Sequence, residues 1–262
     1  MAVEFVTYET EQRAADALFN ELRHHLESGP NHHSTDNTVS GPFVVMLAGG
    51  STPLEVYRRV ADNPPRSVHP AAHLLLSDDR YVPETDSQSN FGTIRPMAAK
   101  LGLDGSRFVH ADTALPEDQA VADFGRKVVD LGARSAVFAL GILGIGTDGH
   151  TASLFTPSMV TLPGDGPTDE NPTDSAAGGG TLLTSQTDRA ALATGVHGGV
   201  PRISLGAEVL LSFRKLIFFA TGRSKREILY ELSRRPEQYP AGLIMLNHPN
   251  AHIWTDEAPR VE

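Results

Sequence analysis

Apolar runs of strand length, several apolar on both faces, recur along this chain between amphipathic stretches of helical length. A run with no polar face has nothing to offer water, so it belongs in a sheet covered on both sides, and the amphipathic stretches supply the cover. The runs are Phe43 to Ala48, His73 to Ser77, Ala136 to Ile142, Arg189 to Ala193, Lys215 to Ala220 and Ala251 to Thr255. The helical stretches are Glu11 to Glu27, where Leu18, Leu22 and Leu26 recur, Leu54 to Ala61, Asn90 to Leu101, Glu117 to Leu131, and Ser224 to Arg235 stopped by Pro236. The expected fold is one α/β domain over residues 1–262, doubly wound and Rossmann-like, with a mostly parallel sheet and helices on both faces. Two polar stretches break the rhythm, at about 29–42 and 162–180, and read as surface loops.

Charge and composition exclude several classes. The balance is 22 − 32 = −10 with no long basic block, so no general attraction to nucleic acid or to an anionic membrane is expected. An anionic ligand would need a local pocket. The longest apolar stretch, Ala136 to Gly146, has 11 residues and three glycines, well short of the roughly 20 that span a bilayer. The first residues lack a basic segment followed by an apolar one, so no secretory signal is expected. Zero cysteines exclude disulfides, thiolate metal sites and a cysteine nucleophile, which fits a cytoplasmic protein. The 11 histidines, including the pairs His24/His25 and His32/His33, show no metal-ligand spacing, so neither metal nor cofactor is expected. Monomer and homo-oligomer both remain open.

Four segments could carry chemistry. Phe43-Val44-Val45-Met46-Leu47-Ala48-Gly49-Gly50-Ser51-Thr52-Pro53-Leu54 runs from a strand through a glycine turn into a helix. There, backbone N–H groups and the helix dipole converge, and glycines let an anion approach the main chain. Ser51 or Thr52 is expected to cap the helix and Pro53 to take its first position; an ordinary capped βα turn has the same spacing. Ser77-Asp78-Asp79-Arg80-Tyr81 ends another strand and is expected to face the same crevice. Arg80 suits a two-pronged phosphate contact and Asp78 a sugar hydroxyl or a base, with a surface salt-bridge cluster as the alternative.

The third segment is Gly144-Ile145-Gly146-Thr147-Asp148-Gly149-His150-Thr151. It satisfies G-x-G-x-x-G, but a dinucleotide site needs an acidic residue on the next strand about 20 positions on. Counting forward lands in the polar loop at Asp165 and Asp169. What remains is a glycine-rich strand end delivering His150 near a helix start, where the dipole favours a neutral imidazole able to act as a general base. A purely structural histidine is the alternative. The fourth segment, Arg202 to Arg235, holds eight Lys or Arg against Glu208, Glu227 and Glu231, a balance of +5. Within it Arg223, Lys225 and Arg226 stand where a helix dipole disfavours cations, a conflict that a bound anion or solvation would relieve.

Taken in order, AGGSTPLEVY, SDDRYVP followed by SQSN, LGILGIGTDGHTASLF, PRISL, ATGRSK and WTDEA resemble the 6-phosphogluconolactonases of the glucosamine-6-phosphate isomerase/6-phosphogluconolactonase family. The resemblance runs from about Phe43 to Ala258, with the polar loops outside it. It implies hydrolysis of 6-phospho-D-glucono-1,5-lactone to 6-phospho-D-gluconate in the oxidative pentose phosphate pathway, with a small sugar-phosphate lactone as partner and no cofactor. By the same resemblance His150 would be the general base, supported by Asp148 and Gly149, and Asp78 the second polar residue of the catalytic crevice. Gly49, Gly50, Ser51, Thr52, Arg80, Arg202 and Lys225 would surround the phosphate. The family usually reads Asp-Glu-Arg where this chain has Asp78-Asp79-Arg80, and runs from the Phe155 position straight into proline, where Thr156 intervenes here. The related deaminases carry a glutamate at the Phe155 position and Asp-Glu-Tyr at 78–80. A sugar-phosphate sensor would carry a DNA-binding module, and none is visible in the chain.

Overall fold

The computed structural model describes residues 2–29, 41–162, 187–257 and 259. The two polar stretches, apart from Gly29, Gly41, Pro42 and Leu162, lie outside the described residues. In chain order the elements are β1 (Glu4–Thr7), α1 (Glu11–Ser28), β2 (Phe43–Leu47), α2 (Ser51–Asp62), β3 (Ala72–Leu76), β4 (Asp78–Arg80), α3 (Asn90–Lys100), β5 (Phe108–Val109) and α4 (Glu117–Ala133). There follow β6 (Val137–Leu143), α5 (Thr187–Ala190), β7 (Ala191–His197), β8 (Val200–Leu205), α6 (Ala207–Leu211), β9 (Lys215–Phe219), α7 (Arg226–Arg234), α8 (Pro240–Leu246) and β10 (Ala251–Thr255). Seven strands form one sheet in the order β1-β10-β9-β6-β2-β3-β5, every neighbouring pair parallel.

Both faces of this sheet are covered, which is why β2 and β3 are buried at every position. Successive residues of one strand point to opposite faces. Phe43, Val45 and Leu47 join a core with Leu18 and Leu22 of α1, Val56 of α2 and Ile94 of α3. Val44 and Met46 join a second core with Phe124 and Val128 of α4, Leu229 of α7 and Ile244 of α8. β9 divides in the same way, Ile217 and Phe219 to the first core and Leu216 and Phe218 to the second. Local signals start the helices: the Thr10 hydroxyl accepts from Arg13 N–H, and the Ser89 hydroxyl from Gly92 N–H.

The strand order reverses beside β2. From β2 the chain moves outward through β3 to β5, then crosses back to β6 on the other flank of β2. The connections leaving β2 and β6 therefore diverge and open a crevice at the carboxyl ends of the strands.

Some expectations need correction. Arg189 to Ala193 is not a strand of the parallel sheet: Thr187–Ala190 is a helical turn, and β7 belongs to a separate antiparallel sheet ordered β4-β8-β7. Much of β7 faces outward, which an antiparallel sheet tolerates and a doubly covered parallel one does not. The helix expected from Ser224 begins at Arg226, after a 3₁₀ turn over Arg223–Lys225.

Phe218 is fully buried between β9 and the second helical layer. Phe218→Ala is expected to cost about 3–5 kcal/mol in urea unfolding with native far-UV circular dichroism retained. A loss under about 1 kcal/mol would contradict this placement.

Candidate functional site

After β2 the chain turns through Ala48, Gly49 and Gly50 into α2. Gly50, at φ 98°, is the N-cap, and no side chain caps the helix. Neither Ser51 nor Thr52 caps it, and Pro53 sits at the third helical position, because a left-handed glycine has already turned the chain one residue earlier. The first N–H groups of α2 are thus left for another acceptor. Gly49 is required by its neighbour: a Cβ there would overlap the Asn90 amide, whose Nδ2 donates to the Asp78 carbonyl at 3.0 Å.

β4 carries the acidic pair. The buried Asp78 carboxylate accepts from Ser77 Oγ at 2.6 Å and from Ser153 Oγ at 2.7 Å. Asp79 accepts from the backbone N–H groups of Arg80, Asn90 and Phe91 at 2.8, 2.7 and 3.0 Å, tying the start of α3 to β4. Burial pushes its carboxyl up to about 6 against those donors. The middle acid is thus a clamp within the fold.

Arg80 lies directly opposite Arg202 in the antiparallel pairing of β4 with β8. Like charges facing one another across strands destabilise the pair. Arg80 donates to Gln88 O at 2.7 Å, and its Nε is buried without a partner. Arg202 donates through Nε and Nη2 to His197 O at 3.3 and 3.1 Å; burial, and then Arg80, lower its pKa. Lys225 donates to Ile145 O at 2.6 Å, and burial lowers its pKa. Among the described residues, none of these three cations pairs with a carboxylate. Of the cations at 223–226 only Lys225 reaches the crevice, since Arg226 pairs with Glu257 and Arg223 is exposed.

His150 stands on the loop after β6. No helix follows it, contrary to expectation: Gly149 at φ 83° and Ala152 at φ 47° turn the chain too tightly for one to start. Its electrostatic partner is instead Asp148, with Oδ1 2.5 Å from His150 Nδ1. Burial pushes the Asp148 carboxyl up, but the charge and hydrogen bonds of His150 more than reverse this and hold it below its ordinary value. The loop is closed by Gly146 N–H to His150 O at 2.9 Å and anchored by Ala241 N–H to Gly149 O at 3.1 Å. A Cβ on Gly149 would strike Tyr239, and one on Gly146 would overlap the His150 ring and Asp148.

A single cleft of about 200 Å³ is lined by Gly49, Gly50, Ser51, Thr52, Asp78, Arg80, His150, Arg202 and Lys225. Asp148 and Gly149 shape the His150 loop from outside that lining. Asn90 and Ser153 are hard to read from sequence because their partner, Asp78, lies elsewhere in the chain, and only the SQSN and TASLF segments point near them; the positive φ of Ala152 leaves no sequence mark. Among the described residues no group of His, Asp or Glu is arranged to hold a metal ion, and no helix is long and apolar enough to cross a membrane. Gly146→Ala is expected to drive the His150 ring away from Asp148 while the strands stay in place, as a crystal structure of the variant would show. An unmoved ring would contradict the packing described.

Residues 9–254 match the family model of the glucosamine-6-phosphate isomerases/6-phosphogluconolactonases. The 6-phosphogluconolactonase of Haemophilus influenzae is 27% identical over 261 residues, covering 97% of each chain. That of Thermotoga maritima is 42% identical over 114 residues, 42% of this chain and 49% of that one, so this match spans about half the relative's length. The crystal structure of the Thermotoga maritima 6-phosphogluconolactonase superposes with a TM-score of 0.69 at 24% identity, over 97% of this chain and 98% of that one. A monomeric glucosamine-6-phosphate deaminase superposes at 0.66 with 14% identity, over 97% of each. At such identities the superpositions speak for the doubly wound fold, common to both branches. The family match, running through β2, β4, β6 and β8 and every residue of the cleft, makes this chain a member of the glucosamine-6-phosphate isomerase/6-phosphogluconolactonase family.

Proposed function

We propose that this chain hydrolyses 6-phospho-D-glucono-1,5-lactone to 6-phospho-D-gluconate, with His150 as the general base. The observation that carries the reading is the cleft's pairing of two features: three cations without carboxylate partners among the described residues, and a histidine whose Nδ1 is engaged by Asp148. The phosphate is the group those cations fit. Arg80 and Arg202 face one another, Lys225 joins them in the lining, and the uncapped N-terminus of α2 adds backbone donors. A dianion among them removes the cross-strand repulsion and accepts from the buried Arg80 Nε. Since the phosphate is remote from C1, these contacts act by positioning the lactone.

With Nδ1–H donated to Asp148, His150 Nε2 is left as the acceptor. A water gives its proton to Nε2 as its oxygen attacks C1. The C1–ring oxygen bond then breaks, and the same proton passes to the departing ring oxygen, giving the open-chain acid. Asp78, fixed by two serine hydroxyls, accepts from a sugar hydroxyl and sets the ring's orientation. Phe155 supports this reading over deamination: an apolar ring packs beside His150 where the deaminases carry a glutamate. A cytoplasmic location belongs to the same reading.

The test is NMR observation of freshly generated lactone with and without protein. Wild type is expected to accelerate its decay, and His150→Ala to lower kcat by about 10²-fold or more with KM little changed. Arg80→Ala or Arg202→Ala is expected chiefly to raise KM. An unchanged kcat in His150→Ala would overturn its role. Ammonia release from glucosamine 6-phosphate would move the chain to the deaminase branch, and binding without turnover would make it a sensor.

A further inference from the structure

The His150 ring has a neighbour besides Asp148. Phe155 lies 4.6 Å from it between ring centres, tilted by 39°, and His197 in turn stacks on Phe155 at 3.5 Å with the planes 13° apart. His197 ends β7, where Gly198 and Gly199, both at positive φ, fold the chain back into β8. Its Nε2–H donates to Thr194 O at 3.2 Å, fixing the ring within the hairpin. Its main-chain oxygen is also the acceptor for the Arg202 guanidinium. One residue of the second sheet therefore touches Arg202 directly and His150 through a single intervening ring.

We infer that His197 is a positioning residue for the reaction, holding Phe155 against His150 and so linking the phosphate end of the cleft to the base. The inference rests on the reading of His150 given above. The physical need is plain from the loop: His150 is about one-third exposed (32%), no helix backs it, and Asp148 restrains only Nδ1. A hydrogen bond at one atom leaves the ring free to pivot about that contact. A face packed on Phe155 removes the pivot, provided Phe155 is itself held. Phe155 is only partly buried, and the His197 ring stacks on it. Neither ring exchanges a proton with substrate in this scheme.

The expected effect is the loss of a ring contact, felt at the base. His197→Ala should lower kcat about three- to ten-fold with KM within about two-fold, because the main-chain oxygen that holds Arg202 survives the substitution. His197→Phe keeps a stacked ring and should recover kcat to within about two-fold of wild type. Phe155→Leu should match His197→Ala, and the double variant should be no worse than either, since both break one contact chain. Equal losses in His197→Ala and His197→Phe, or losses that multiply in the double variant, would overturn the inference. The His150 Cε1–H proton resonance provides a readout independent of turnover: it should shift in His197→Ala and return in His197→Phe. A resonance unmoved by His197→Ala would sink the positioning role even where His150→Ala is inactive. Full kcat in His150→Ala would instead sink the base assignment, leaving the resonance to judge the contact.

Discussion

Arg80 and Arg202 face one another across β4 and β8, and their repulsion is the constraint around which the cleft is organised. Like charges placed directly opposite across strands destabilise the pairing, and Arg202 is partly desolvated as well. The strands could relieve the strain by separating, but the backbone pairing of β4 with β8, extended by Tyr81 N–H to Pro201 O and Leu205 N–H to Ser77 O, holds them together. The Asp79 carboxylate takes the N–H groups of Arg80, Asn90 and Phe91 and fastens β4 to the start of α3. Arg202 is held in turn by the His197 carbonyl across the hairpin. The cations are thus fixed in place by main-chain hydrogen bonds despite their repulsion, and an anion is the simplest species that removes the conflict.

The parallel sheet supplies what the small antiparallel sheet cannot. Its order reverses at β2 and β6, so the glycine turn before α2 and the His150 loop leave adjacent strands and open onto one crevice. The β4-β8-β7 sheet then brings its arginines to the same place, with Ser153 reaching from the His150 side to the Asp78 carboxylate. Four glycines keep the two halves close. Gly49 admits Asn90, Gly146 admits the His150 ring, Gly149 admits Tyr239, and Gly50 makes the turn. The chemistry proposed needs no more than this: donors fixed for a phosphate, and an imidazole fixed by a carboxylate.

Much of this was legible in the sequence, for physical reasons that also explain the remainder. Strand β2 announces itself as an uninterrupted apolar run, and β3, β9 and β10 as short runs with apolar residues on both faces, because both their faces are covered. Helix α1 is legible from Leu18, Leu22 and Leu26, all fully buried on one face. By contrast, β1, β4 and β5 have four, three and two residues, too short for any period to register. That β7 leaves the parallel sheet is hidden in the sequence, because its apolar start resembles a covered strand and only gives way at Thr194 and Gly195, where the pairing register shifts. The glycine turn and His150 could be found at strand ends, but the pairing of Arg80 with Arg202 is a property of register between distant segments. No helix follows His150, because Gly149 and Ala152 turn the chain, and Asp148 supplies the electrostatic partner that a helix dipole would otherwise provide.

A cleft strained by unneutralised positive charge until an anion fills it must show that strain in its stability. The decisive measurement is thermal unfolding of wild type and Arg80→Gln, each with and without 6-phosphogluconate. The ligand-free variant is expected to be at least as stable as wild type, because a repulsion and a buried unpartnered Nε are gone, while the ligand-induced rise in Tm is largely lost. A ligand-free variant that melts well below wild type, with the ligand-induced rise intact, would contradict it.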